Sequence, residues 1–171
     1  MTNLILEQHA GSPVDSSLDL PSYISGYVDG EGCFTVSISP RPTLLVRWEV
    51  RPSFSVSQNA DRSQVLLDIQ AYFRCGSIRP DRSDKTLKWE TRSLPVIVER
   101  IIPHFRSYPM RSSKQKDFEL FADICERMVR QLHREVTGLS EIVQLAGQMN
   151  PSGKRGYLPA AIQLSLQEME A

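Results

Sequence analysis

The stretch from Tyr23 to Phe34, which reads YISGYVDGEGCF, constrains this chain more than any other. It has the pattern of an apolar helix in which two small residues, Ser25 and Gly26, stand side by side. Glycine inside a helix costs about 1 kcal/mol relative to alanine, so its presence there usually has a packing reason. The pattern predicts a helix that allows a second backbone to approach very closely.

Two acids, Asp29 and Glu31, lie at the predicted carboxyl end of this helix, where the helix dipole disfavours negative charge. Locally unfavourable choices of this kind are expected at functional sites. If two such helices met across their Ser25-Gly26 faces, two Glu31 carboxylates would converge. Converging carboxylates repel each other unless a proton or a divalent cation lies between them, and oxygen ligands suit Mg²⁺.

Residues 24–32 resemble, position by position, the nine-residue signature of the LAGLIDADG homing endonucleases. Ser25 and Gly30 each stand where that family has alanine, and Glu31 stands where it has a second aspartate. The resemblance implies an α+β LAGLIDADG fold: an αββαββα core with a curved antiparallel DNA-binding sheet, followed here by C-terminal helices. The alternative for these nine residues is an ordinary amphipathic helix that ends in Asp-Gly.

The overall composition indicates one globular domain, because 171 residues can bury a sizeable core. The three cysteines lie far apart without a Cys-x-x-Cys pair, which argues against a zinc site or a disulfide framework. We find no run of about 18 apolar residues and no leader pattern. We therefore expect an intracellular protein, cytoplasmic or organellar, with no membrane partner.

The charges are unevenly distributed, although the net charge is zero. Residues 1–40 carry no Lys or Arg and five acids, a charge of −5. Residues 41–111 carry 13 bases and 7 acids, a charge of +6, and residues 112–171 carry 7 bases and 8 acids, a charge of −1. A basic centre is the electrostatic footprint of a nucleic-acid-binding protein, although a solvated surface can carry the same charges.

Hydrophobic periodicity predicts a loose arm over 1–18 and one domain over 19–171, with a core at about 20–132 and C-terminal helices within 137–171. Asp61 is predicted to begin the second helix, Pro52 to mark a bulge or a sheet edge, and Pro103 to disturb a helix end. The predicted helices span 20–30, 61–73, 93–105, 116–132, 140–148 and 160–169, and the predicted strands span 33–39, 45–57, 77–80 and 86–92.

The predicted strands alternate apolar with polar residues, which gives the sheet one polar face. The major groove of DNA admits a two-stranded ribbon, and a strand of about 12 residues spans roughly 40 Å, near the DNA repeat of about 34 Å. A merely solvated face would show the same alternation. The candidate DNA-binding residues are Thr35, Ser37, Ser39, Arg41, Arg47, Glu49, Arg51, Ser53, Ser55, Arg79, Arg82, Lys88, Glu90 and Arg92.

The family resemblance also implies roles for single residues. It implies that Glu31 and the carbonyl of Gly30 bind the metal, and that Gln58, Arg62 and Lys114 join Glu31 in the catalytic site. Each of the last three is also an ordinary residue for a turn or a helix start. The remaining implied positions are Ser25, Gly26, Val28 and Asp29 at a dimer interface, and Lys154 and Arg155 in a loop that contacts the DNA backbone unless it is only solvated.

The sequence holds one copy of the signature, and in the family a single copy implies a homodimer. The resemblance thus implies a homing endonuclease that cuts both strands of a long, near-palindromic DNA site with Mg²⁺, for which Mn²⁺ or Ca²⁺ can substitute in binding. Two other functions stay open. One is a non-cleaving relative that acts as an RNA-splicing maturase or DNA-binding regulator, and the other is a plain α+β interaction module.

Overall fold

The computed structural model describes residues 19–81, 85–150 and 159–170. Helices and strands follow one another in the predicted αββαββα order, with further helices after it. The strands are β1 (Gly32–Pro40), β2 (Trp48–Asn59), β3 (Ser77–Pro80) and β4 (Thr86–Thr91). The helices are α1 (Leu20–Glu31), α2 (Gln64–Phe73), α3 (Leu94–Val96), α4 (Ile102–Ser107), α5 (Lys114–Val129), α6 (Val136–Gln148) and α7 (Pro159–Glu170).

The strands form one antiparallel sheet in the order β1-β2-β4-β3, with helices packed on its apolar face. Phe34 of β1 stacks on Phe54 of β2 with ring centroids 4.7 Å apart. Phe105 of α4 meets Phe34 edge to face at 5.4 Å, and Phe118 of α5 lies 5.5 Å from the same ring. The predicted α+β fold is confirmed, and the other face of the sheet carries the polar side chains.

Helix α1 begins as the sequence predicts. The side chain of Asp19 accepts a hydrogen bond from the backbone N–H of Ser22 at 3.5 Å, and Pro21 stands in the first turn, where its missing N–H costs nothing. The helix ends at Glu31, and the N–H of the next residue, Gly32, donates to the carbonyl of Val28. A Cβ atom at Gly32 would lie 2.5 Å from Cγ1 of Val28, so the direct passage from α1 into β1 requires glycine.

The predicted start of the second strand is wrong by three residues. Residues 41–47 form a compact turn in which the N–H of Arg41 donates to the carbonyl of Arg47 at 2.7 Å. Arg47 has φ +58°, a left-handed conformation that interrupts an extended strand. Arg47 therefore belongs to the turn and not to the polar face of β2.

Pro52 lies inside β2 without a bulge, since the register with β1 continues unbroken from Gly32 opposite Val56 to Pro40 opposite Trp48. The pairing of β2 with β4 extends only to Phe54 opposite Thr91. Pro52 therefore lies beyond the end of that pairing, on a locally free edge of β2. The edge prediction is confirmed, and the bulge prediction is wrong.

Three helix boundaries also differ from the predictions. Asp61 does not begin α2, because residues Ala60–Arg62 form a separate 3₁₀ turn and the helix begins at Gln64. Helix α5 begins at Lys114, two residues before its predicted start, and α6 begins at Val136, four residues before. Helices α5 and α6 thus begin before the apolar periodicity on which their predicted starts rested, whereas α2 begins after its predicted start.

Between α3 and α4, residues Ile97–Ile101 form a π-helical turn, in which the N–H of Ile102 donates to the carbonyl of Ile97. Pro103 follows immediately and has no N–H, so it cannot continue a regular i to i−4 ladder. The predicted disturbance by Pro103 therefore lies inside a longer helical segment, over 94–107, and not at its end.

Candidate active site and nucleic-acid interface

The carboxylate of Glu31 lies exposed at the carboxyl end of α1, where the chain turns directly into the sheet. In the part of the chain that the structure describes, it makes no hydrogen bond and no salt bridge. An exposed acid beside the negative end of a helix dipole gains nothing locally from its position. Glu31 is therefore available to a ligand from outside this chain.

Lys114 lies beside Glu31 at the first turn of α5, but its ammonium group bonds the backbone and not the carboxylate. It donates to the carbonyls of Val28 at 3.0 Å, Gly30 at 3.3 Å and Gly32 at 2.6 Å. A cation that binds the last carbonyls of a helix also neutralises the negative end of its dipole. Lys114 thus contacts both neighbours of Glu31, and its catalytic role stays a prediction.

Asp29 binds segment 108–114 to helix α1; this segment runs from the end of α4 to the first residue of α5. It accepts hydrogen bonds from the backbone N–H groups of Arg111 and Ser112, both at 3.0 Å, and from the hydroxyl of Ser112. Partial burial acts to raise the pKa of Asp29, but these hydrogen bonds and the charge of Lys114 outweigh it, so the pKa lies below its ordinary value. Asp29 serves a contact within the chain.

Gln58 lies at the same end of the sheet as Glu31, because Gly32, the neighbour of Glu31, pairs with Val56 of β2. Its amide group donates to the hydroxyl of Tyr27 on α1, and its carbonyl oxygen accepts from the N–H of Asn59 at 2.7 Å. Burial is the main cause that raises the pKa of Tyr27, and Glu31 adds to it. The contact with Tyr27 brings Gln58 beside the helix that carries Glu31.

Arg62 is exposed in the 3₁₀ turn that follows β2, and no contact in the described ranges joins it to Glu31, Gln58 or Lys114. Its predicted role stays a prediction. Tyr27 is the neighbour of the site that the sequence prediction missed. Its position four residues before Glu31 on the same helix was the available signal.

Two of the predicted interface residues are buried inside the chain, and this part of the prediction is wrong. Ser25 is 4% exposed and Val28 is 0% exposed, so neither offers surface to a second copy. Gly26 and Gly30 lie on the opposite face, where an added Cβ would meet nothing within 4 Å. Tyr23, 42% exposed, lies three residues before Gly26 on the same side. The open face of α1 thus consists of Gly26 and Gly30, with Tyr23 beside them.

The polar face of the sheet has the composition that the alternation predicted. Strand registers align Cys33, Ser55, Glu90 and Ser77 in one row across four strands. The next row contains Ser57, Lys88 and Arg79. The remaining members of this face are Thr35, Ser37, Ser39, Glu49, Arg51 and Ser53.

Glu90 is the centre of a charged cluster on that face. It is 7% exposed and forms salt bridges with Arg79, with Arg92 at 3.0 Å and with Lys88 at 3.8 Å. The hydroxyl of Ser53 donates to it at 2.9 Å. Burial acts to raise the pKa of Glu90, but the hydrogen bonds and cations outweigh it and hold the pKa below its ordinary value.

A second, more exposed cluster lies near the turn between β1 and β2. The carboxylate of Glu49 binds Arg41 at 2.7 Å and Arg51 at 2.6 Å, and the hydrogen bond from Arg41 is the main cause that lowers its pKa. In both clusters bases outnumber acids, so the face is positively charged around each carboxylate. Arg82, Lys154, Arg155 and the arm over 1–18 lie outside the described residues.

Sequence comparison connects this arrangement with known proteins. The family profile described as LAGLIDADG endonuclease matches residues 24–125, more than half of the chain. The archaeal homing endonuclease I-ApeII of Aeropyrum pernix is 30% identical over 118 residues, which cover 68% of this chain and 69% of that protein.

This chain belongs to the LAGLIDADG endonuclease family. Another relative, a probable intron-encoded endonuclease 2 of Neurospora crassa, is 31% identical over 131 residues. The match covers 76% of this chain but only 29% of the Neurospora protein, so the chain spans less than a third of that relative's length.

Solved structures of the LAGLIDADG family agree with the fold. The homing endonuclease I-TnaI superposes with a TM-score of 0.75 at 30% identity, covering 87% of this chain and 97% of I-TnaI. The endonuclease I-LtrWI, solved bound to target DNA, superposes with a TM-score of 0.75 at 33% identity, covering 77% of this chain and 44% of I-LtrWI. I-SmaMI, solved with an uncleaved DNA target and calcium ions, has a TM-score of 0.77 at 28% identity, with 82% and 48% covered.

A divalent metal fits the LAGLIDADG site only if ligands come from outside this chain. The described residues contain no group of three or more His, Cys, Asp or Glu that could hold a metal ion. Mg²⁺, however, needs only one or two carboxylates, together with water and substrate phosphates. Glu31 supplies a free carboxylate, and the carbonyl of Gly30 retains a second lone pair beside its 3.3 Å contact with Lys114.

No helix in the described ranges is long and apolar enough to cross a bilayer.

Proposed function

We propose that this chain is half of a site-specific endonuclease that hydrolyses one phosphodiester in each strand of a long, near-palindromic double-stranded DNA target. The observation that carries the proposal is the carboxylate of Glu31. It is exposed, unpaired within the described residues and located at the end of the helix that defines the family. The polar sheet face and its clustered bases support DNA as the substrate.

Glu31 and the Gly30 carbonyl would hold Mg²⁺, and Mn²⁺ or Ca²⁺ would substitute for it in binding. Such an ion lowers the pKa of a bound water and stabilises the charge on the leaving 3′-oxygen. The amide of Gln58 is available to orient the attacking water. Lys114 places a positive charge beside the phosphate, and Arg62 extends that positive field. Because the chain offers one such carboxylate at this point, the second is proposed to come from another copy.

A homodimer through α1 is supported by the open face of that helix. Gly26 and Gly30 would allow two helices to cross with their backbones close, and two Glu31 side chains would then meet at the carboxyl ends. The chain matches nearly all of I-TnaI but about half of I-LtrWI and I-SmaMI, which is the ratio expected of one subunit and of two fused halves. A two-fold axis through α1 implies a near-palindromic target.

The DNA contacts are proposed to come from the Lys and Arg side chains of both clusters and from the small hydroxyl residues between them. Arg79, Lys88 and Arg92 are held around Glu90, while Arg41 and Arg51 are held around Glu49. Arg47 in the turn and the hydroxyls of Thr35, Ser37, Ser39 and Ser53 complete the proposed face, with Arg82, Lys154 and Arg155 as further phosphate contacts. Ser55 was predicted on the same face, but it is only 4% exposed and offers no surface to DNA. The intracellular location also remains a proposal, supported by the relative named as intron-encoded.

The experiment is a cleavage selection from a randomised plasmid library with the purified protein and Mg²⁺. The comparison samples contain EDTA or the Glu31→Gln variant, and Glu99→Gln, which alters an exposed acid of the π-helical turn, is the matched control for that variant. Recovery of one long, near-palindromic site that is cut only with metal supports the proposal. Specific binding without cutting under Mg²⁺, Mn²⁺ and Ca²⁺ would overturn it in favour of a maturase or regulator, and absence of salt-dependent DNA binding would favour a plain interaction module.

The dimer is tested by Gly26→Leu, with Ala71→Leu on the exposed face of α2 as the matched control. Because no atom of the described residues lies within 4 Å of a Cβ added at Gly26, the leucine should leave the monomer folded. It should nevertheless separate the two copies, which sedimentation measures at increasing protein concentration. An unchanged dimer in Gly26→Leu would remove α1 from the interface.

A further inference from the structure

His104 of α4 is buried at the junction of α1, α2 and segment 108–114, where the mechanism above gives it no role. It is 6% exposed. Its Nδ1 atom lies 3.0 Å from the hydroxyl of Tyr72 on α2, and its Nε2 atom lies 3.1 Å from the hydroxyl of Ser25 on α1. The Ser25 hydroxyl in turn donates to the carbonyl of Tyr108 at 2.6 Å. One imidazole thus connects three parts of the chain.

The direction of these hydrogen bonds fixes the proton on the ring. A serine hydroxyl has one proton, and Ser25 gives it to the Tyr108 carbonyl, which can only accept. Ser25 must therefore accept from Nε2–H of His104. A neutral imidazole carries one proton, so Nδ1 is the acceptor and the Tyr72 hydroxyl is its donor.

The surroundings of His104 favour this neutral form. Burial lowers the pKa of His104 to about 4. The cleft beside it is lined by Tyr72, Tyr108, Arg74 and Arg100, and no carboxylate lines it among the described residues. Arg100 donates to the carbonyls of Phe73 and Arg74 at 3.0 and 2.7 Å, which keeps a positive charge near the ring.

Segment 108–114 follows α1 in the same direction and contacts it at three successive points. Its Tyr108 carbonyl meets Ser25, its Arg111 and Ser112 amides meet Asp29, and its Lys114 meets the carbonyls on both sides of Glu31. His104 fixes the first of these contacts. A shift there would carry through the segment to the position of Lys114 relative to Glu31.

We infer that His104, as the neutral Nε2–H tautomer, is a positioning residue that holds α1 and segment 108–114 in register and so fixes Glu31 relative to Lys114. Its effect on cleavage rests on the proposed function. Its effect on the register does not, so the two can fail separately. The variants are His104→Leu, which removes both hydrogen bonds, and His104→Gln, which retains a donor for Ser25. His133→Gln is the control, since His133 lies in the 3₁₀ turn Leu132–Arg134.

The first readout is independent of DNA. Nitrogen NMR of the imidazole should show the Nε2–H tautomer without titration between pH 8 and 5. Hydrogen exchange at the amides of Arg111 and Ser112 should be at least tenfold faster in His104→Leu than in the wild type. His104→Gln should restore most of the protection, and the control should match the wild type. An Nδ1–H tautomer, an imidazolium at pH 7 or unchanged exchange in a folded His104→Leu protein would overturn the inference.

The second readout is single-turnover cleavage of the recovered target. His104→Leu should cleave at least tenfold more slowly with an unchanged Kd for the DNA, and His104→Gln should recover most of the rate. If His104→Leu does not fold, Tyr72→Phe serves instead, because it removes only the hydroxyl that donates to Nδ1. It should accelerate amide exchange by severalfold, and a wild-type pattern would overturn the inference. A wild type that never cleaves, with the expected tautomer and exchange, would refute the proposed function alone.

Discussion

Glu31 at the end of α1 and Glu90 on the polar face of the sheet are two glutamates with opposite surroundings. Glu90 is almost fully buried and bound by three bases and a hydroxyl. Glu31 is exposed and unpaired within the described residues, although Lys114 lies beside it. Lys114 directs its ammonium group to three backbone carbonyls instead.

Glu90 therefore has all its partners within the chain, whereas Glu31 is available to a metal or to a second molecule. Glu90 holds its bases in fixed positions on the sheet. The carboxylate of Glu90 already has its partners within the chain. Replacing it should therefore change the affinity for DNA only in part and should not abolish cleavage. Replacing a carboxylate that binds the metal should instead abolish cleavage.

The largest effect is expected from Glu31→Gln. Loss of residues that only support a metal ligand typically costs 10–100-fold, so loss of the ligand itself should reduce cleavage by more than about a hundredfold. The Kd for the DNA should change little, because Glu31 makes no hydrogen bond or salt bridge with any other residue that the structure describes. Rate and Kd are measured on the same preparation, with Glu99→Gln as control. Normal cleavage by Glu31→Gln would show that Glu31, like Glu90, is not needed for the cleavage step.

Lys114→Met should have the next largest effect, because it removes the ammonium donor from three backbone carbonyls, of which only that of Val28 is known to keep another donor, the N–H of Gly32. We expect a loss of about 1–3 kcal/mol in the free energy of unfolding, measured by urea denaturation. Lys116→Met, two residues along the same helix and exposed, should change it by less than about 0.5 kcal/mol. Equal effects of the two variants would mean that the cap on α1 contributes little.

Glu90→Gln should act on DNA binding and not on the cleavage step. Removing the carboxylate releases the charges of Arg79, Lys88 and Arg92, so the dependence of log Kd on log salt should steepen by up to about one. Discrimination between target and random DNA should fall, because the side chains of Arg79, Lys88 and Arg92 are no longer held in place. Glu49→Gln, in the exposed cluster, is the comparison variant and should change discrimination less. The reverse order would show that burial of Glu90 is irrelevant to recognition.

The smallest effect concerns acid pH. The folded-state pKa of Glu90 lies below its ordinary value of 4.5, so its cluster stabilises the fold above that pH and loses this contribution as the pH falls through the lower folded pKa. Glu90→Gln should therefore lose less stability than the wild type between about pH 5 and pH 3. Unfolding midpoints in urea at each pH measure this, and parallel curves for the two proteins would contradict it.

Local patterns predicted much of the fold. The alternation of Phe34, Val36 and Ile38 fixed which face of β1 is buried, and the pair Asp19 and Pro21 fixed the start of α1. These features depend on neighbours in sequence. Arg47 shows the limit, because its positive φ is imposed by a turn that closes on Arg41 and leaves no mark in the hydrophobic pattern.

The site was predicted in its parts but not in its connections. Glu31, Gln58 and Lys114 could be named from the family signature and its spacing. That Ser25 and Val28 face inward, and that Asp29 binds segment 108–114, depends on contacts between residues about 80 positions apart. Sequence periodicity shows that a helix has a small-residue face, but not which face its own sheet covers.

Mixed dimers test whether the proposed metal site needs the Glu31 carboxylates of two copies of the chain. Differently tagged wild-type and Glu31→Gln subunits are co-expressed, and the dimer that carries both tags is purified and given the recovered target with Mg²⁺. If the Glu31 carboxylates of both copies are needed to hold the metal, the mixed dimer should cut both strands far more slowly than the wild type. Cutting of either strand at the wild-type rate would contradict the account.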